Sequence, residues 1–175
     1  MSPHGDADHA NEVDNILNDI DIKCLNINSG DINYLAENAL KRIKTCSYKS
    51  KNMVLDYLNY KIYDNENDNS IVLYIELNNR RFLFMGDAGI EVENDLIDKY
   101  NLQNIDVLKV GHHGSKTSSS ENFINVVKPK YSVISVGKNN KYGHSNKEVL
   151  DNLKDSKTYR TEQDGSIMFT IKIMN

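Results

Sequence analysis

The spacing of apolar residues changes period repeatedly along the chain. Val13, Ile16, Leu17 and Ile20 recur at helical spacing, so residues 10–20 predict a short amphipathic helix. Residues 22–27 alternate apolar and polar, the period of a short strand. After the turn Ser29-Gly30-Asp31, where Ser29 or Asp31 can act as a cap, residues 32–43 place Leu35, Ala36, Ala39, Leu40 and Ile43 on one helical face. Residues 53–63, rich in Leu, Tyr, Ile and Val, predict an extended segment. A polar loop over residues 64–69 then leads into two strands, residues 70–77 and 80–85, which Asn78-Asn79 joins as a tight hairpin.

From Ala88 onward the pattern becomes an alternation of helix and strand. Residues 92–100 predict a helix and 105–110 a buried strand. Residues 120–127 predict a helix opened by a serine-rich cap, 131–136 a second buried strand and 146–153 a further helix. Tyr159 and residues 166–173 predict closing strands around Gln163-Asp164-Gly165, an Asp-Gly turn. This order implies a layered α/β (α+β) protein folded as one domain over residues 1–175.

Composition sets outer limits. The chain has 175 residues, 39% of them hydrophobic, enough for one core. No apolar run approaches the ~18 residues that would mark a membrane span. Residues 1–20 are polar and acidic, without the basic start and apolar stretch of a signal peptide, so the expected location is cytoplasmic. Cys24 and Cys46 fit neither CxxC nor zinc-finger spacing and read as buried thiols. Charge is uneven: residues 1–100 carry 10 Lys/Arg against 18 Asp/Glu, whereas residues 101–160 carry 10 against 5. Lys109, Lys116, Lys128, Lys130, Lys138, Lys141 and Lys147 surround the later histidines. They form either a solvated surface or a cationic rim that favours an anionic substrate such as a phosphodiester.

The candidate chemistry begins at His4-Gly5-Asp6-Ala7-Asp8-His9, four imidazole and carboxylate donors in six positions. Such groups crowd together at a cost unless a cation or water satisfies them, and they are ligands that Zn²⁺, Mn²⁺ and Fe²⁺ accept. Alone, the segment reads equally well as a solvated tail. The other polar punctuation favours one site: Asp87 in Gly86-Asp87, His112 and His113 in Gly111-His112-His113-Gly114-Ser115, and His144 in Gly143-His144-Ser145 each follow a short apolar run. Layered α/β proteins place active sites in loops just beyond strand C-termini.

HGDADH, a strand pair ending in GDAG, a strand ending in HHGS, then SVGKNNKYGHS and YRTEQDGS, in this order, resemble the metallo-β-lactamase superfamily, and within it the metallo-hydrolase domain of ComEC-type DNA-uptake competence proteins. The resemblance runs over residues 2–174. It implies an αββα sandwich and two divalent metal ions, Zn or Mn. His4, Asp6, Asp8 and His9 match the HxHxDH motif, with Asp6 in place of its second histidine, and Asp87 matches the carboxylate that bridges the ions. No histidine occurs between His9 and His112, where the wider superfamily has one, so His113 becomes the candidate replacement. The implied ligand sets are His4, Asp6, His113 and Asp87 for one ion, and Asp8, His9, His144 and Asp87 for the other. The two ions would lower the pKa of a shared water from ~15.7 toward ~7, with Asp8 orienting the nucleophile. His112 would contact substrate or stabilise the leaving group, or else serve as a hydrogen-bond partner behind the ligands. Ser115, Lys116 and Lys141 are candidate substrate-binding residues, and Ser115 can equally cap a turn.

The family's first half normally opens with several strands before HxHxDH, whereas here His4 stands three residues after Met1. The expected first half is therefore incomplete, with an unpaired sheet edge that a partner would cover. The leading expectation is a metal-dependent phosphodiesterase acting on single-stranded DNA. The alternatives are an esterase or lactonase of the same fold, and a catalytically inactive remnant acting as an interaction module.

Overall fold

The computed structural model describes residue 16 and residues 48–172. Apart from residue 16, the expected elements over residues 10–20, 22–27 and 32–43, both cysteines, and the donors His4, Asp6, Asp8 and His9 lie outside the described residues.

Among the described residues, seven strands form one sheet in chain order: β1 (Tyr48–Lys49), β2 (Met53–Tyr57), β3 (Leu73–Leu77), β4 (Arg80–Phe84), β5 (Val107–Lys109), β6 (Tyr131–Ile134) and β7 (Lys157–Arg160). The pairings from β1 to β4 are antiparallel, and those from β4 to β7 are parallel. The predicted hairpin is present. Leu77 faces Arg80, and Asn78 and Asn79 both adopt left-handed φ values of 50° and 62°, the geometry that matches a two-residue turn to strand twist.

Parallel neighbours need crossovers, and helices supply them. Helix α1 (Ile90–Lys99) buries Val92, Glu93 and Leu96, and α2 (Glu121–Val127) buries Phe123, Ile124 and Val127. Ser120 caps α2, its Oγ accepting from the Phe123 amide, and Lys128 ends it in the left-handed conformation. Asn146 caps α3 (Lys147–Asn152). These helices cover the sheet face carrying Leu83, Leu108 and Ile134, and together they form one core.

The opposite face carries the register row Tyr57, Leu73, Phe84, Lys109, Val133 and Tyr159. It is apolar apart from Lys109. That placement corrects the sequence reading of Lys109 as part of an exposed rim: its strand position puts it, half-buried, on an apolar row.

Three expected boundaries also move. The extended segment stops at Tyr57, and the chain then turns inward, burying Leu58, Asn59 and Tyr63. Residues 70–72 are fully enclosed without joining the ladder, because the Asn59 side-chain amide takes the carbonyls of Asp68 and Ser70. The closing hairpin around Asp164-Gly165 does not form among the described residues. Thr161–Asp164 instead makes a helical turn, α4, fastened by the Arg160 amide donating to Asp164 and by Thr161 Oγ1 bonding both backbone groups of Val136.

Candidate active site

The C-terminal ends of β4 and β5 lie side by side, and each continues into a tight loop. Beyond β4, Gly86 takes a φ of +59°, and a Cβ there would sit 2.9 Å from Ser70 Cβ. Only glycine allows that approach. It brings Ser70 Oγ within 3.0 Å of the Asp87 amide, which donates to it, and leaves the Asp87 residue 6% exposed.

Beyond β5, the short turn Gly111–Gly114 holds His112 and His113 in consecutive left-handed conformations, φ 45° and 54°. Residues with a Cβ adopt this region at a cost that only a well-braced site sustains. The brace is visible: the His112 amide donates to Gly86 O at 3.0 Å, tying the two loops together. Gly111 permits the contact, since a Cβ there would meet Ala88 O at 2.9 Å.

His113 Nε2 lies 3.6 Å from Asp87 Oδ1, and its Nδ1 lies 2.7 Å from Ser135 O. A carbonyl only accepts, so Nδ1 donates to it, and Nε2 is the ring nitrogen that faces Asp87. His112 Nδ1 sits 3.1 Å from Thr117 Oγ1. The His144 ring lies 5.9 Å from that of His112 and stacks at 5.8 Å on exposed Tyr142. Asn140 clamps His144 by accepting from its amide and donating to its carbonyl. Burial, followed by the like charge of His112 and His113, holds the His144 imidazole below its ordinary pKa, against the opposing pull of Asp87. Asp87, His112, His113 and His144 therefore occupy one electrostatic neighbourhood.

Lys109 enters the same neighbourhood from the sheet. Its Nζ donates to Val110 O at 3.0 Å, and burial depresses its pKa while the Asp87 carboxylate acts in the other direction. Ser115 is buried, and its Oγ accepts from the Thr117 amide and hydroxyl. Lys116 and Lys141 are exposed, as are Lys128, Lys130, Lys138 and Lys147.

Among the described residues, no three His, Cys, Asp or Glu side chains assemble into a group that could hold a metal ion. Half of the expected donor set, His4, Asp6, Asp8 and His9, lies outside those residues. The donors that are described fit a divalent cation in their chemistry: a buried carboxylate, a histidine with Nδ1 fixed on a carbonyl, and a second histidine biased toward its neutral form.

Sequence reasoning missed Ser70, Thr117 and Glu93. Glu93 is completely buried on α1 and accepts from the amides of Ser119 and Ser120. A lone acid beside the apolar positions 92 and 96 was the available signal.

Residues 58–138 match the family model described as the Metallo-beta-lactamase superfamily. The chain is 31% identical over 185 aligned residues to ComE operon protein 3 of Bacillus subtilis, covering 97% of this chain and 24% of that protein. It is 38% identical over 108 residues to Competence protein ComA of Neisseria gonorrhoeae, covering 59% and 16%. The chain thus spans about a quarter or less of the length of these relatives. A solved structure of a metallo-beta-lactamase superfamily protein from Thermotoga maritima is similar at 15% identity and a TM-score of 0.38, over 67% of this chain and 60% of that one.

Proposed function

The chain belongs to the metallo-beta-lactamase superfamily, and from that membership we propose that it is a metal-dependent hydrolase with a dinuclear centre that cleaves phosphodiesters, with single-stranded DNA as the substrate. The observation that carries the reading is the approach of His113 Nε2 to within 3.6 Å of buried Asp87 while Nδ1 is held on Ser135. A histidine fixed in this way beside a carboxylate is built to donate a lone pair to a cation.

In this reading His4, Asp6, His113 and Asp87 hold one divalent ion, Zn or Mn, and Asp8, His9, His144 and Asp87 hold the other. When bound, the ions supply Lewis acidity, acidifying water and offsetting the negative charge that develops on the substrate. The protein's own groups do the rest. Asp8 orients the nucleophile, and His112, 5.9 Å ring to ring from His144, contacts the substrate or its leaving group. His144 remains a neutral ligand because burial disfavours its protonation. Exposed Lys116 and Lys141, in a stretch rich in lysine, attract a polyanion. A relative named as a competence protein supports DNA as that polyanion.

Purified protein loaded with Mn²⁺ or Zn²⁺ should cleave single-stranded DNA and bis-p-nitrophenyl phosphate, and Asp87→Ala should abolish both activities. Turnover that survives Asp87→Ala, or none in the wild type with either metal, removes the hydrolase reading. Cleavage of a carboxylic ester but not a phosphodiester would leave the enzyme and replace the substrate class.

A further inference from the structure

The loop after the paired histidines is fastened more heavily than a connection between β5 and α2 requires. Ser118 Oγ lies 2.8 Å from Gly111 O and 3.1 Å from Ser115 O, and the Asn152 side-chain amide donates to Ser119 O at 3.0 Å. The Ile90 amide donates to Thr117 O, and both carboxylate oxygens of buried Glu93 take the amides of Ser119 and Ser120. A charged group enclosed this way is retained at a cost, and its hydrogen bonds reveal what it holds. Here it fixes the far end of the segment that carries Thr117.

Thr117 has one hydroxyl proton, and it goes to Ser115 Oγ at 3.1 Å. Its oxygen can then only accept from the nearby His112 Nδ1, 3.1 Å away. Ser135 O imposes the same proton placement on His113. We propose that Thr117 is a positioning residue: through the relay His112 Nδ1–H to Thr117 Oγ1 to Ser115 Oγ, on a loop that Glu93 secures, it holds His112 in the tautomer whose Nε2 bears the lone pair.

The consequence for rate rests on the hydrolase reading, whereas the tautomer assignment does not. The test uses the metal-free full chain, ¹⁵N-labelled at histidine, at about pH 8, where an ordinary imidazole is neutral. His112 is identified by its loss in His112→Gln. The side-chain nitrogen spectrum should show the His112 proton on Nδ1. Thr117→Val, which keeps the shape and removes the hydroxyl, should shift His112 to a mixture of tautomers or reverse it, and Thr117→Ser should restore the wild-type pattern. In the Mn²⁺-loaded protein acting on bis-p-nitrophenyl phosphate, Thr117→Val should lower kcat about 10-fold, with KM little changed, and Thr117→Ser should recover most of the loss. A wild-type His112 protonated on Nε2, or an unchanged tautomer in Thr117→Val, overturns the proposal whatever the kinetics. Wild-type protein without turnover would defeat the hydrolase reading and leave the spectrum to decide this one.

Discussion

At the scale of single residues, the site is set by backbone positions that tolerate no side chain and by acids that have lost water. Gly86→Ala places a Cβ 2.9 Å from Ser70 Cβ at a φ of +59°. We expect a loss of about 1–2 kcal/mol, roughly 2–8 °C in the thermal midpoint, together with reduced activity as Ser70 is pushed off the Asp87 amide. An unchanged melting curve would contradict the geometry. Glu93 gives a pH-dependent test. Burial, outweighing the Ser120 and Ser119 hydrogen bonds, raises its pKa above the ordinary 4.5. The folded protein therefore binds a proton there more readily than the unfolded chain. The stability this contributes is complete below 4.5 and is lost as pH rises through the folded value. Denaturant titrations should show the wild type gaining stability relative to Glu93→Gln as pH falls from 7 toward 4.5; a pH-independent difference would refute it.

At the scale of elements, the hairpin is the clearest case of local sequence fixing local structure. Asn79 occupies a left-handed position, φ 62°, which asparagine tolerates and glycine accepts freely. Asn79→Gly should stabilise the protein by about 0.5 kcal/mol, and a β-branched Asn79→Val should destabilise it by about 1 kcal/mol or more, both measurable by thermal denaturation. The turn, β3 with β4, the helices α1 to α3 and the buried strands β5 and β6 were legible because each rests on a local period or cap. Ser120 is read directly as a cap and acts as one, and Asn146, expected as the first helical residue, caps α3 instead. What was not legible depends on contacts distant in sequence. Residues 58–63 and 70–72 follow Asn59 and its carbonyl partners rather than strand propensity. The expected hairpin at Asp164-Gly165 gives way because Thr161 finds a partner in Val136, 25 residues away. The same limit applied to the site. The short motifs around Asp87, His112, His113 and His144 identified which side chains to examine. Glu93 carries no such signal because its partners lie 26 and 27 residues away, whereas Thr117 stands beside the GHHGS motif and takes its role from hydrogen bonds that only the folded turn creates.

At the scale of the whole molecule, the described sheet supplies Asp87, His113 and His144, while the other proposed donors come from residues 4–9, more than 75 positions before Asp87 in the chain. If one centre takes ligands from both, metal binding must stabilise the fold as well as enable chemistry, because an unfolded chain cannot hold donors so far apart in sequence around one ion. At a free metal concentration 100 times the dissociation constant, each site adds about 2.7 kcal/mol, which for a chain of this size is roughly 5–10 °C in the thermal midpoint. Mn²⁺ or Zn²⁺ should therefore raise the melting temperature of the chelator-stripped protein, and excess chelator should reverse the rise. Asp87→Ala should remove most of it, because that carboxylate serves both ions. His4→Ala and His113→Ala should each remove a similar part, because they are assigned to the same ion from opposite ends of the chain. A full metal-induced shift in His4→Ala alongside a lost one in His113→Ala would separate residues 4–9 from the centre and leave Asp87 with the late histidines alone.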